Sequence, residues 1–142
     1  MQVINKTNGY LDFKEVTLSP QTTYSEFCQN FPNHTIWEVG NGYVWVNHSD
    51  IKIDNKTFYI AVCFYHEQLY TVHFWFKNQG EKIITDWNEW TEVYELAQQK
   101  KLDRWLTKQI GGERQFIWGD IGAYYDPKSS TSSIMLNYTI IF

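Results

Sequence analysis

The residue types that most often carry out chemistry in proteins occur in this sequence without the spacing that active sites use. The four histidines are His34, His48, His66 and His73. No two of them stand three or four residues apart, as metal ligands on one helix do. Cys28 and Cys63 are far apart and have no second pair, so neither a zinc site nor a disulfide framework is indicated. We therefore expect no metal and no cofactor.

Nucleophilic and acid–base chemistry also lacks a signature. The sequence contains no Gly-x-Ser-x-Gly segment, and the serine-rich stretch that follows Asp126 and Pro127 is typical of a loop. A carboxylate pair such as Asp50 with Asp54 would need a cleft that raises the pKa of one member, and no residue pattern indicates such a cleft. The sequence therefore predicts a protein that is not an enzyme.

Acidic and aromatic side chains alternate in two segments, and these residues are the candidates for binding a protein partner. In the first segment carboxylates recur at three-residue steps among tryptophans, and in the second two tyrosines stand between aspartates. The candidates are Asp86, Trp87, Glu89, Trp90, Glu92, Glu95, Asp120, Tyr124, Tyr125 and Asp126. Consecutive strand residues point to opposite faces, so Tyr124 or Tyr125 should lie at the surface. Exposed rings beside carboxylates suit a basic protein, although favourable interaction with a helix dipole is the commoner reason for Asp86 and Glu89.

The composition points to one folded domain spanning residues 1–142. Aromatic residues make up 18% of the chain, with 7 Trp and 10 Tyr, and such side chains serve both in cores and at interfaces. The formal net charge of −4 argues against binding to nucleic acid or to anionic membranes and favours a basic partner. The first residues lack the apolar stretch of a secretion signal, so we expect a cytoplasmic protein.

The pattern of apolar residues predicts an α+β fold, with a single antiparallel β-sheet packed with one short N-terminal helix and one longer helix. The short helix is predicted over residues 24–30 and the longer one over residues 86–110, with a bend or break near Lys100 and Lys101. Strands are predicted at 35–39, 43–47, 51–53, 57–65, 68–77, around 116–125 and at 133–142.

The two longest strands allow side chains to be assigned to faces by their two-residue period. One face should form the core, with Phe58, Ile60, Val62, Phe64, Tyr70, Val72, Phe74 and Phe76. The opposite face carries Tyr59, Ala61, Cys63, Tyr65, Leu69, Thr71, His73 and Trp75. Because this second set is far from polar, we expect something to cover part of it.

The arrangement resembles in outline the small immunity proteins that bacteria encode beside secreted or contact-delivered toxins. The residues that carry the resemblance are segments 18–27, 58–76 and 116–121, together with 125–129. The resemblance implies a tight, cognate, non-enzymatic inhibitor that neutralises a toxin, often a basic nuclease, by covering its active site or a nearby surface. It assigns no binding residues, because immunity proteins diverge widely.

Two alternatives remain open from the sequence. A small-molecule binding domain or enzyme would use the second sheet face, around Tyr59, Tyr65, His73 and Trp75, as the floor of a pocket. A structural subunit of a homo-oligomer, such as a homodimer, would use an edge strand or the same aromatic face.

Overall fold

The computed structural model describes residues 2–30, 35–81 and 91–139. Two helices and nine strands lie within these ranges. In chain order they are β1 (Leu11–Asp12), β2 (Thr17–Leu18), α1 (Tyr24–Asn30), β3 (Thr35–Gly40), β4 (Tyr43–Ile53), β5 (Lys56–Tyr65), β6 (Gln68–Asn78), α2 (Glu92–Ile110), β7 (Gln115–Phe116), β8 (Gly119–Asp126) and β9 (Thr131–Tyr138). The α+β class is therefore confirmed.

Seven of the strands form one sheet in the order β3-β4-β5-β6-β9-β8-β7, and every neighbouring pair is antiparallel. Strands β1 and β2 form a separate two-stranded sheet, so the prediction of a single sheet is wrong in its count. The β4–β5 hairpin turns through Asp54 and Asn55, whose φ angles of 48° and 63° are left-handed and suit a tight hairpin turn. Strand β9 enters the sheet between β6 and β8, so the last described strand joins the hairpins into one layer.

One face of the sheet carries the hydrophobic core. Phe58, Ile60, Val62 and Phe64 of β5 are buried there, as the two-residue period predicts. The core is closed by the N-terminal segment through Phe13, by α1 through Phe27, and by α2 through Leu102, Trp105 and Leu106. Each fully buried large apolar side chain contributes about 1.5–3 kcal/mol, so this layer holds the fold together.

The face assignment of β6 is wrong at two residues because the strand contains a bulge. Cys63 pairs with Thr71 and Phe64 pairs with Leu69, so one extra residue, Tyr70, stands opposite this register shift. Leu69 consequently turns into the core and is 1% exposed, whereas Tyr70 turns outward and is 37% exposed. Downstream of the bulge, Val72, Phe74 and Phe76 are buried as predicted.

Helix α2 begins at Glu92 and runs without interruption to Ile110, so a break near Lys100 and Lys101 is wrong, while a bend there stays a prediction. Its N-cap is Thr91, whose side chain accepts a hydrogen bond from the backbone N–H of Tyr94 at 3.0 Å. Residues 86–90 of the predicted helix lie outside the described ranges. The helix stays continuous because the apolar group around Leu102 packs on the core, whereas Val93, at the start of the helix, is left 78% exposed.

Other strand predictions had incorrect bounds. The strand that was expected to run into a loop over 116–125 is two strands, β7 and β8, and β8 extends to Asp126. The predicted strands 43–47 and 51–53 form one strand, β4, whose register shifts between His48 and Ile51 where Asp50 has a φ of 63°. The last strand begins at Thr131 and ends at Tyr138, while positions 140–142 of the predicted strand lie outside the described residues. These differences move boundaries and leave the antiparallel layer unchanged.

Candidate partner-binding surface

The sheet face opposite the core is rich in aromatic side chains, and we call it the open face. The described helices and the N-terminal segment all pack on the other side, through Phe13, Phe27 and Trp105. The open face includes Tyr43, Trp45, Tyr59, Tyr65, Tyr70, His73, Trp75, Asp120, Tyr124, Met135 and Asn137, as the strand registers show. None of the described helices packs on this face, and the expectation that part of it is covered stays a prediction.

Rings on the open face contact one another within the sheet, both across adjacent strands and, for Trp45 of β4 and His73 of β6, across the intervening β5. Tyr59 and Trp75 are stacked with centroids 5.6 Å apart and an interplanar angle of 17°. Trp45 meets His73 edge-on at 5.0 Å, and Tyr43 lies 4.7 Å from Tyr65. Such cross-strand pairs hold the rings in fixed positions, which lowers the entropy that a binding partner would have to remove.

Among the rings of this face whose side chains the structure describes, Tyr124 is the most exposed, at 48%. It lies directly over Gly122, because a Cβ at Gly122 would come within 2.6 Å of the Tyr124 hydroxyl. Asp120, two residues before Gly122, is exposed and accepts a hydrogen bond from Asn137 Nδ2 at 2.9 Å. Asp120 and Tyr124 are therefore two of the predicted partner-binding residues that the fold brings onto the open face.

Tyr125 points to the other side of β8, toward the start of α2. Its hydroxyl donates a hydrogen bond to Glu92 Oε2 at 3.4 Å. Partial burial, together with the nearby Glu92 carboxylate, raises the pKa of Tyr125. Tyr125, Glu92 and Glu95 thus form a second group, separated from Asp120 and Tyr124 by the thickness of the sheet.

Asp126 organises the turn between β8 and β9. Its carboxylate accepts hydrogen bonds from the backbone N–H of Lys128 at 2.9 Å and from the Ser129 hydroxyl at 3.0 Å. These two donors lower the pKa of Asp126. The remaining predicted residues, Asp86, Trp87, Glu89 and Trp90, lie outside the described part of the chain.

A cavity of about 430 Å³ opens where β6 and β9 separate. The two strands pair only between Thr71 and Phe74 on β6, although β6 continues to Asn78. Residues that line the cavity include Ala61, His73, Trp75, Lys77, Tyr94, Glu95, Gln98, Asp126, Ser132 and Met135. Burial lowers the pKa of His73, so a neutral imidazole stands in the wall. We call this space the cleft.

No protein-family model and no curated protein matches the chain. Its structure is similar to a chain of a solved complex described as Rhs1-CT in complex with cognate immunity protein RhsI1. The TM-score is 0.62 at 21% sequence identity, and the match covers 97% of this chain and 87% of that chain. This protein therefore shares its fold with a chain of that complex. The resemblance to immunity proteins is therefore confirmed at the level of the fold.

Three rings of the open face, Tyr43, Trp45 and Tyr70, are absent from the set that the sequence predicts for the second sheet face. Tyr43 and Trp45 join the open face by the same two-residue period that was applied to β5, so that signal was available. Tyr70 is on this face only because of the bulge, which no residue pattern marks. Trp118, two residues before Asp120, makes its hydrogen bond within the protein: its indole N–H donates to the carbonyl oxygen of Lys6 at 2.8 Å.

Neither a metal centre nor a membrane span emerges from the part of the chain that the structure describes. There, His, Cys, Asp and Glu side chains form no group of three that could hold a metal ion. In the same residues, no helix combines the length and apolar character that crossing a membrane requires.

Proposed function

We propose that this protein is a non-enzymatic inhibitor of the immunity type, which binds and neutralises a cognate toxin. The observation that carries the proposal is the structural match, over 97% of the chain, to a chain of a complex that contains a cognate immunity protein. At 21% identity the match establishes the fold, and the proposal extends it to the role.

The open face is the docking surface in this proposal. Trp75 is 36% exposed, Tyr70 37% and Tyr124 48%, and all three rings are held by contacts within the sheet. Tyrosine and tryptophan provide large, stiff contact areas and are enriched among the residues that dominate binding energy. A central cluster of such rings would slow dissociation of a bound toxin.

Charge favours a basic toxin of the nuclease type. The chain carries a net charge of −4, and Asp120 lies exposed on the docking surface beside Tyr124. Negative potential around a binding surface speeds encounter with a positive partner and makes the association rate fall as salt rises. An inhibitor of such a toxin would act in the cytoplasm, where the toxin's nucleic acid substrate lies.

Co-expression with the toxin domain encoded beside this gene tests the role. We expect the protein to restore growth to cells that produce the toxin and to elute with it as one complex in size-exclusion chromatography. A toxin domain from an unrelated toxin–immunity pair serves as the control and should not be neutralised. Failure both to restore growth and to form a complex would overturn the proposal.

The cleft supports a second candidate function, which is binding of a small molecule. Its lining includes His73 and Trp75, two of the four residues that the sequence offered as a pocket floor, and its volume of about 430 Å³ is within the roughly 300–1,000 Å³ range of ligand sites. A small molecule that binds there and leaves toxin inhibition unaffected would favour this function. Assembly as a homodimer stays a prediction, which sedimentation would test.

A further inference from the structure

We propose that the cleft receives a basic side chain, arginine in particular, from the protein partner. This inference rests on the proposed function, because it assigns to the partner the group that enters the cleft. It goes beyond that function by naming a specificity pocket next to the aromatic docking surface and the chemistry that fills it.

The shape of the cleft follows from the way the sheet splits. After Phe74 the strand β6 departs from β9 and continues through Trp75 to Asn78, while residues Thr131 and Ser132 at the start of β9 pair only with β8. Tyr94, Gln98 and Leu102 of α2 line the cleft from the core side of the sheet. The result is a recess beside the open face with a fixed floor and two strand walls.

Helix α2 keeps the two strands apart by bonding to each of them separately. Lys101 Nζ donates to the carbonyl oxygen of Phe76 on β6 at 3.1 Å. On the other wall, Ser132 Oγ of β9 donates to the carbonyl oxygen of Glu95 at 2.8 Å. Next to this wall, Gln99 Nε2 donates to the carbonyl oxygen of Ala123 on β8 at 2.9 Å. These hydrogen bonds anchor both walls to one rigid helix, so the recess is built into the fold.

The charge of the lining favours a cation. Two carboxylates, Glu95 and Asp126, line the cleft, and the turn holds Asp126 in place through two hydrogen bonds. Lys77 is the cationic side chain among the described lining residues. Its Nζ forms an ion pair with Glu81 Oε2 at 3.3 Å and donates a hydrogen bond to the Tyr94 hydroxyl at 2.7 Å. Burial keeps His73 neutral, so the lining retains negative charge.

The apolar part of the lining matches the rest of an arginine side chain. Trp75 and Tyr94 present aromatic rings, and Met135 presents a thioether chain. A guanidinium group stacks on aromatic faces and binds carboxylates with two parallel hydrogen bonds, whereas an ammonium group is a compact, strongly hydrated point charge. The combination of rings and carboxylates in one recess therefore selects arginine over lysine.

Binding of small arginine derivatives tests the pocket without the toxin. The probes are N-acetyl-arginine amide, its neutral isostere N-acetyl-citrulline amide, and N-acetyl-lysine amide, added to the ¹⁵N-labelled full chain. We expect the arginine probe to shift the Trp75 indole N–H signal and the amide signals of Ser132 and Ser133 in a saturable way. The citrulline probe should bind at least about tenfold more weakly, because it lacks the charge that strengthens hydrogen bonds to carboxylates.

Single substitutions test which lining residues bind the arginine probe. Glu95→Gln should weaken the arginine probe about tenfold, and Trp75→Ala should do so independently through loss of the aromatic wall. Glu113→Gln, which removes the same charge from an exposed residue after α2, is the matched control and should leave the probe's affinity unchanged. Since Trp75→Ala removes no buried anchor of the core, it keeps the test valid if Glu95→Gln fails to fold.

The outcomes separate this inference from the proposed function. Absence of a saturable shift at the cleft, or equal affinity for the citrulline and arginine probes, would overturn the pocket even if the protein neutralises its toxin. Saturable binding of arginine that depends on Glu95 would support the pocket, and a simultaneous failure to neutralise the toxin would then count against the inhibitor role alone.

Discussion

Two tryptophans with opposite surroundings provide a sharp prediction about which rings fold the protein and which ring binds its partner. Trp105 on α2 packs against Phe58, Phe74 and Phe76, with ring centroids 5.7, 6.0 and 5.5 Å away. Removing such a packed ring costs about 3–5 kcal/mol of unfolding free energy. Trp75 on the open face is 36% exposed and stacks on Tyr59, so Trp75→Ala should cost only about 1 kcal/mol.

The effects on toxin binding should be the reverse. A central exposed ring at a protein interface contributes about 2 kcal/mol or more, so Trp75→Ala should weaken toxin binding by roughly 30-fold. Trp105→Ala should leave the affinity of the folded fraction nearly unchanged. Urea denaturation measures the first quantity and isothermal titration calorimetry with the toxin domain measures the second. If Trp75→Ala lost as much stability as Trp105→Ala, or kept full affinity, the assignment of the two faces would be refuted.

Three further predictions concern the fold. Gly119→Ala should destabilise the protein by about 2–4 kcal/mol in thermal or urea unfolding, since Gly119 has a φ of 148° and a Cβ there would overlap a carbonyl oxygen of β9. Burial opposes ionisation of Glu81, but its contact with Lys101 outweighs burial and lowers the pKa of Glu81. Its stabilising contribution should therefore be present above about pH 4.5 and be lost as the pH falls through the lowered value, so Glu81→Gln should cost about 1 kcal/mol at pH 7 and less at pH 3. Unfolding curves that gave an equal cost at the two pH values would contradict this. Burial raises the pKa of Cys63 to about 11, so iodoacetamide at pH 8 should alkylate Cys28 first, and mass spectrometry that finds Cys63 labelled first would refute its burial.

The sequence predicted the elements whose side-chain period is undisturbed. Phe58, Ile60, Val62 and Phe64 alternate without a bulge, so their burial followed from the two-residue period of a strand. The N-terminal helix followed from its cap, since the Thr23 hydroxyl accepts from the backbone N–H of Glu26 at 3.1 Å. Local chemistry was sufficient in both places.

Prediction failed where the outcome depends on residues distant in the sequence. The bulge that exchanges Leu69 and Tyr70 leaves no mark in residue type, because both side chains suit either face of a strand. The cleft exists because β9 lies between β6 and β8. The pairing of β6 with β9 brings together residues more than 60 positions apart, such as Thr71 and Asn137. The sequence could therefore nominate acidic and aromatic residues, but it did not show which of them share a face.

NMR cross-saturation in the complex with the toxin domain is the most direct test of the docking surface. Saturation of the toxin should pass to the indole N–H of Trp75 and Trp45, which lie on the open face, and spare those of Trp105 and Trp118, which face the core and the N-terminal segment. Transfer to Trp105 and Trp118 with none to Trp75 and Trp45 would contradict the proposal that the open face binds the toxin.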